Sequence, residues 1–190
     1  MGEKGQLIAI EPIPAFAEVW KKNMKRFSAD TVQLLNIALG NEAQENVKMS
    51  IPMVNGVVRH GLTKVSETKS KYETYLEFEV PMKIGDSLFE GEKYKKIDFI
   101  KCDVEGYEQY VVPSLNNTLV KYKPTIQIEL SGVENKQNVT DYLVGLGYEI
   151  FKLQNNLLSP VEIKDIFNFG GDFYFIHKDK LEEKKHLINN

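Results

Sequence analysis

Residues 97–106 read IDFIKCDVEG, and this stretch decides the fold class of the 190-residue chain. A short apolar run with β-branched and aromatic residues ends in two carboxylates, Asp103 and Glu105, and a glycine, Gly106. A central strand of an open α/β sheet delivers polar groups to the carboxyl edge of the sheet in this way. Gly106 allows a tight turn, and a helix from Tyr107 onward favours negative charge near its amino end. The stretch therefore predicts a buried strand, a functional loop and a helix.

The composition is that of an ordinary globular protein, with 42% hydrophobic and 27% charged residues. A net charge of −3 gives no reason to expect binding to nucleic acid or to an anionic membrane. No apolar run approaches the ~20 residues that span a bilayer, and no signal-peptide core is found, so we expect a cytoplasmic location. The single cysteine, Cys102, lies in the predicted strand and is expected to be a buried core residue rather than a reactive thiol.

A strand, an acidic residue, a helix and a second strand follow one another near the start of the chain. Residues 7–10 form the predicted strand, which ends at Glu11, and apolar residues from Phe16 to Phe27 recur at helical spacing. Residues 31–37 predict the next strand. A carboxylate at such a strand end can accept hydrogen bonds from two ribose hydroxyls, as Rossmann-like folds use it. The alternative for Glu11 is a solvated loop residue near the start of a helix.

Residues 42–74 show the least regular pattern. A loop of this length without structure of its own would be unusual, so the segment is either a substrate lid or a hairpin insertion. Arg59 and His60 could approach an acceptor substrate, although a solvated surface pair is the simpler interpretation. Residues 75–80 alternate apolar and polar side chains, which predicts a half-exposed strand.

The carboxyl-terminal half alternates predicted helices and strands. Pro113 should interrupt the helix that follows Gly106. Strands are predicted over residues 125–129, 148–153 and 172–176, with a helix between the first two. Residues 178–190 form a charged tail, expected to be solvated or a short surface helix. Because no repeat or linker is found, residues 1–177 are expected to form one domain.

Four motifs occur in order, LIAIEP at residues 7–12, LNIALG at 35–40, IDFIKCDVEGYE at 97–108 and KPTIQIEL at 123–130. Together they resemble the signature of FkbM-type methyltransferases, which use S-adenosylmethionine. The resemblance implies a Rossmann-like class I methyltransferase sheet, mostly parallel with an antiparallel C-terminal strand. It implies that Glu11 holds the ribose of S-adenosylmethionine and that Asn36, Ala38 and Leu39 lie beside the adenine. The alternative for the last three is that they simply end a strand.

The resemblance does not include the segment with which enzymes of this family begin. An enzyme of this type begins with a strand, a glycine-rich turn and a helix, and that strand lies between those assigned to residues 7–10 and 97–103. The sequence therefore predicts an α/β sheet that is missing its first central strand, through an amino-terminal truncation or in a degenerate relative. Neighbouring strands are ~4.7–4.9 Å apart, so the omission would leave a gap of about twice that width or force the two neighbours to pair directly.

The leading hypothesis for the intact form is methyl transfer to a hydroxyl group of a small molecule or sugar. Asp103 would lie near the methionine moiety or the acceptor, and Glu105 would act as a base or belong to a polar loop. The alternative for both is helix capping and hydrogen bonding within the loop. Glu129 could join them and three carboxylates could hold Mg²⁺, but nothing fixes their geometry, so no metal site is predicted. A non-catalytic remnant and a nicotinamide-dependent oxidoreductase are the alternative functions.

Overall fold

The computed structural model describes residues 5–27, 30–55, 57–59, 63–65, 74–91 and 94–189. The chain divides into two compact units, Met1–Lys83 and Ile84–Asn190. Its secondary structure is mixed α/β, as the sequence predicts, with strands and helices in both units.

The first unit begins with a parallel strand pair connected by a helix. Strand β1 (Leu7–Ile10) pairs with β2 (Val32–Leu35), and α1 (Pro14–Arg26) lies between them in the chain. Pro14 fits the first turn of α1 because the missing N–H is not needed there. The predicted first strand and helix are confirmed. The strand predicted over residues 31–37 is shorter than expected, and residues 38–40 form the separate strand β3 (Ala38–Gly40).

A long antiparallel hairpin accounts for most of the remaining first unit. Strands β4 (Gln44–Val54) and β7 (Thr74–Ile84) pair along their length, and β3 lies beside β7. The short strands β5 (Val57–Val58) and β6 (Lys64–Val65) both pair with β4. One face is buried through alternating side chains, namely those of Val47, Met49, Ile51, Val80 and Met82. The hairpin insertion predicted for residues 42–74 is therefore observed, while residues 56, 60–62 and 66–73 of this segment lie outside the described residues and the substrate lid stays a prediction.

The second unit contains a five-stranded sheet in the order β11-β10-β12-β9-β8. Its strands are β8 (Phe99–Cys102), β9 (Thr125–Glu129), β10 (Tyr148–Gln154), β11 (Leu157–Pro160) and β12 (Asp172–His177). Strands β8 and β9 are parallel, whereas β12 runs antiparallel to both β9 and β10. The last two predicted strands thus pair antiparallel, as expected.

Two details of the sheet differ from the sequence prediction. Among the described strands of the five-stranded sheet, one of the four pairs is parallel, because β12 separates β10 from β9 and β11 folds back on β10. The sequence predicts β1 and β2 in the same sheet as β8, but among the described residues they form a separate two-stranded sheet.

Helices follow β8 and β9. After β8 come α2 (Glu108–Val111), a 3-10 turn at Pro113–Leu115 and α3 (Asn116–Tyr122), so Pro113 interrupts the helix as predicted. Helix α4 (Val133–Gly145) connects β9 to β10. Phe173 and Phe175 of β12 lie opposite Ile128 and Ile126 on one face of the sheet, and all four are buried. No helix in the described part of the chain is long and apolar enough to cross a membrane.

The charged carboxyl-terminal segment is a short helical element that contacts the sheet. Helix α5 (Leu181–Lys184) lies between 3-10 turns at Lys178–Lys180 and Lys185–Leu187. Leu181 and Ile188 pack against a buried cluster of Phe151, Leu158 and Ile176. Two apolar residues within the charged segment therefore anchor it, which favours the short surface helix over a solvated tail.

His177 caps the 3-10 turn that begins the carboxyl-terminal segment. Its Nδ1 accepts a hydrogen bond from the Asp179 N–H at 3.1 Å, and its ring hydrogen-bonds the backbone of Leu146. Burial lowers the pKa of the ring and the charge of Lys123 lowers it further, against the opposing effect of the Asp179 carboxylate. Because protonated Nδ1 cannot accept a hydrogen bond, the neutral ring is the form that supports the cap.

We expect the free energy of unfolding to fall as the pH is lowered from about 6.5 towards the reduced pKa of His177, since the unfolded chain binds the proton more readily. In His177→Asn the amide oxygen would accept from the Asp179 N–H without titrating, so this part of the pH dependence should disappear. Urea denaturation of both proteins between pH 7 and 5 tests this expectation. His186, which is exposed, gives the matched control His186→Asn, whose pH profile should follow that of the wild type. Equal pH profiles for His177→Asn and the wild type would contradict it.

Candidate active site

The loop between β8 and α2 holds the two acids predicted to be catalytic, Asp103 and Glu105. Two consecutive residues have left-handed backbone conformations, Glu105 with φ 55° and Gly106 with φ 90°. This conformation suits glycine but costs a residue with a side chain about 1 kcal/mol or more. The loop therefore needs support from the surrounding structure.

Glu108 supplies this support from the start of α2. Its side chain is buried, with 1% of the residue exposed. Oε1 accepts hydrogen bonds from the backbone N–H groups of Val104 at 3.0 Å and Gly106 at 3.2 Å. Oε2 accepts one from Nδ2 of Asn135 on α4 at 2.8 Å. One carboxylate thus joins the loop to two helices.

The role of Glu108 was not predicted, although the residue belongs to the motif at residues 97–108. The signal was an acidic residue two positions after a glycine, in the first turn of a helix, where carboxylates accept backbone N–H groups. Its partner Asn135 lies 27 residues away, and no sequence pattern links the two.

Asp103, the first residue after β8, is paired with Lys101 of that strand. Lys101 Nζ lies 2.7 Å from Asp103 Oδ2, and the Asp103 side chain is 36% exposed. The hydrogen bond to Asp103 raises the pKa of Lys101, and the charges of Asp172 and Glu129 raise it further. With this exposure Asp103 is accessible to solvent, and Glu105 is exposed as well.

Glu129 lies level with Asp103 at the same end of the sheet. Cys102 and Ile128 are opposite each other in the parallel β8–β9 ladder, and the two acids are the next residues along each strand. Asp172 of β12 is opposite Glu129, and its carboxylate accepts a hydrogen bond from Gln127 at 2.7 Å. Across the described ranges, no group of three or more His, Cys, Asp or Glu side chains is arranged to hold a metal ion.

Glu11, the residue predicted to hold the ribose, lies at the end of β1 in the first unit. Its carboxylate Oε1 accepts a hydrogen bond from the Ile13 N–H at 2.8 Å, just before α1 begins. Burial raises the pKa of Glu11, and this hydrogen bond partly opposes the shift. No hydrogen bond reaches Oε2 from the residues that the structure describes. One oxygen thus stabilises the loop before α1, and the predicted contact of this carboxylate with a ribose remains a prediction.

The residues predicted to contact the adenine have different environments. Asn36 Nδ2 donates to the backbone carbonyls of Glu11 at 2.7 Å and Pro12 at 3.0 Å. Its amide nitrogen thus holds the end of β2 beside the end of β1. Ala38 is buried in β3, and Leu39 is half-buried. The adenine contacts remain predictions.

The predicted site residues fall into two groups. Glu11, Asn36, Ala38 and Leu39 belong to the first unit, whereas Asp103, Glu105 and Glu129 belong to the second. Arg59 is exposed next to β5, and His60 lies outside the described residues. Cys102 is buried as predicted, and burial raises the pKa of its thiol, so it is not a reactive thiolate.

A family model described as the methyltransferase FkbM domain matches residues 1–152. The chain belongs to this family. The resemblance found in the four sequence motifs is therefore confirmed. An FkbM methyltransferase from Methylobacillus flagellatus KT, known from a crystal structure, shares the fold with a TM-score of 0.54 at 14% identity. The match covers 90% of this chain and 36% of the other, so this FkbM chain spans about a third of that protein's length. No curated protein sequence matches the chain.

Proposed function

We propose that this FkbM domain transfers a methyl group from S-adenosylmethionine to a hydroxyl of a small molecule or sugar. The observation that carries the proposal is the position of Asp103 and Glu129, level at one end of the β8–β9 pair within an FkbM domain. Open α/β sheets bind their ligands beside the carboxyl ends of the parallel strands, where these two side chains lie. The proposal includes a cytoplasmic location.

The residues proposed to bind the cofactor belong to the first unit. Glu11 would hold the ribose hydroxyls through Oε2 while Ile13 keeps Oε1 in place. Asn36 would act by holding the two strand ends together, since its amide nitrogen is bound to backbone carbonyls. Leu39 and the backbone around Ala38 would contact the adenine. S-adenosylmethionine would supply an already activated methyl group.

The residues proposed to act on the acceptor substrate belong to the second unit. Asp103, paired with Lys101, would act as a hydrogen-bond acceptor that orients the methionine moiety or the acceptor hydroxyl. Glu105 is exposed on the same loop and would help remove the proton from the hydroxyl. Because the methyl donor is activated, alignment of the two reactants would be the main contribution of the enzyme.

Calorimetry with S-adenosylhomocysteine and with NAD tests the proposal and separates it from the two alternatives. We expect S-adenosylhomocysteine to bind and NAD not to bind. Glu11→Ala should weaken S-adenosylhomocysteine binding by about tenfold or more, because a charge-assisted hydrogen bond contributes about 1.5–3 kcal/mol. Glu18→Ala is the matched control, since Glu18 is an exposed residue of α1 paired with Lys21.

The other outcomes of the titration are equally informative. Binding of NAD alone would indicate an oxidoreductase, and binding of neither nucleotide would indicate a non-catalytic remnant. Equal affinities of the Glu11 and Glu18 variants for S-adenosylhomocysteine would remove Glu11 from the cofactor site. Transfer of a labelled methyl group to a panel of hydroxylated small molecules and sugars would then identify the acceptor class.

A further inference from the structure

Glu108 is a buried acid whose carboxylate accepts hydrogen bonds from three groups of the described residues. Two are backbone N–H groups of the loop, and the third is the Asn135 side chain. Within the described part of the chain Glu108 forms no salt bridge. A carboxylate without a cation is costly to bury unless hydrogen bonds compensate it. The three donors provide that compensation, and two of them fix the loop backbone.

Asn135 is itself held in one orientation by the protein. Its Oδ1 accepts a hydrogen bond from the Gln109 N–H at 2.9 Å, and its Nδ2 also donates to the Ser131 carbonyl at 3.2 Å. These contacts leave the amide no freedom to turn over, so Nδ2 must face Glu108. The loop, α2 and the start of α4 are therefore connected by one continuous network.

We propose that Glu108, oriented by Asn135, is a positioning residue for methyl transfer. It fixes the backbone of Val104 and Gly106 in the left-handed turn, and this turn determines where Asp103 and Glu105 present their carboxylates. Glu108 acts through the loop and does not touch the substrate, because its side chain is buried. The inference rests on the proposed function, and its test includes a measurement that does not depend on activity.

Glu108→Gln tests the network with almost no change in side-chain shape. A glutamine has one acceptor oxygen where the carboxylate has two. If that oxygen accepts from the loop, the new amide group faces Asn135 Nδ2, donor against donor. Asn135→Asp creates the opposite conflict, with two carboxylates facing each other. The double variant Glu108→Gln with Asn135→Asp reverses the polarity of this hydrogen bond and restores it, at the loss of the contact with Ser131.

Hydrogen exchange of the Val104 and Gly106 amides, followed by NMR, measures the loop directly. We expect both amides to exchange about tenfold faster in Glu108→Gln than in the wild type, the effect of losing about one hydrogen bond, and to recover most of their protection in the double variant. Glu134→Gln is the matched control, since Glu134 is exposed on the first turn of α4. Its exchange rates should equal those of the wild type.

Steady-state methyl transfer measures the consequence for the site. We expect kcat to fall about tenfold or more in Glu108→Gln while KM for S-adenosylmethionine changes much less, and kcat to recover in the double variant. Should Glu108→Gln fail to fold, Asn135→Ala provides a milder test, because it leaves both loop hydrogen bonds in place and should give intermediate exchange.

The outcomes separate the inference from the proposed function. Unchanged exchange of both amides in Glu108→Gln would overturn the inference, as would faster exchange with an unchanged kcat. A wild-type protein that transfers no methyl group would refute the proposed function, while the amide exchange would still decide whether Glu108 holds the loop. Parallel loss and recovery of protection and kcat would support both.

Discussion

Replacement of Phe173 with alanine should lower the free energy of unfolding of the second unit by about 3–5 kcal/mol, the usual cost of emptying a buried aromatic site. Phe173 is 0% exposed and lies opposite Ile128 in the centre of the five-stranded sheet. The ammonium groups of Lys136 and Lys152 lie 5.2 Å and 4.4 Å from the centre of its ring. The substitution therefore removes both core packing and two cation–π contacts.

The two lysines also connect Phe173 to the chain that precedes β12. Lys136 donates to the Phe169 carbonyl at 2.6 Å, and Lys152 donates to the Gly170 carbonyl at 2.7 Å. Burial lowers the pKa of both lysines, and the charge of Asp172 partly opposes this shift for Lys152. Loss of the ring should thus loosen residues 169–171 as well as the core.

Urea denaturation followed by far-ultraviolet circular dichroism would measure the effect. Tryptophan fluorescence would report on the first unit instead, because the single tryptophan, Trp20, lies on α1. Phe167→Ala is the matched control, since Phe167 is 46% exposed, and it should cost less than about 1 kcal/mol. Phe173→Leu keeps part of the volume but loses both cation–π contacts, so its cost should lie between those of Phe167→Ala and Phe173→Ala. A loss below about 1 kcal/mol for Phe173→Ala would contradict the central role of this ring.

Asp103→Asn should abolish methyl transfer without unfolding the protein. The substitution preserves the size of the side chain but removes the charge that pairs with Lys101. Because this pair is largely exposed, its loss should change stability by less than about 1 kcal/mol. Removal of a group that positions reactants or takes part in proton transfer typically lowers the rate by about 10²-fold or more.

The chain offers a close control at the other end of the same strand. Asp98 pairs with Lys96, also two residues away, and both side chains are exposed. Asp98→Asn should retain the methyl-transfer rate of the wild type, and thermal unfolding of both variants would show that they are folded. Retained turnover in Asp103→Asn would remove Asp103 from the mechanism.

Local patterns of the sequence predicted the elements whose formation depends on neighbouring residues. The apolar run before Glu11, the helical spacing of α1 and the interruption at Pro113 all appear in the structure at about the expected positions. Backbone preferences and side-chain periodicity act over a few residues, so a single sequence is sufficient to recognise them. The family assignment came from the same kind of information, as short motifs in a fixed order.

The choice of partners between distant segments required the tertiary structure. The division of residues 32–40 into β2 and β3, the insertion of β12 between β9 and β10, and the pairing of Glu108 with Asn135 each depend on residues brought together from far apart. Strand order and buried hydrogen bonds depend on contacts between segments that are distant in the chain. The periodicity of a sequence describes only neighbouring residues, so it does not predict those contacts. The sequence by itself therefore determined the types of elements and the family. The tertiary structure decided which strands are neighbours and which acid supports the loop, because both depend on long-range packing.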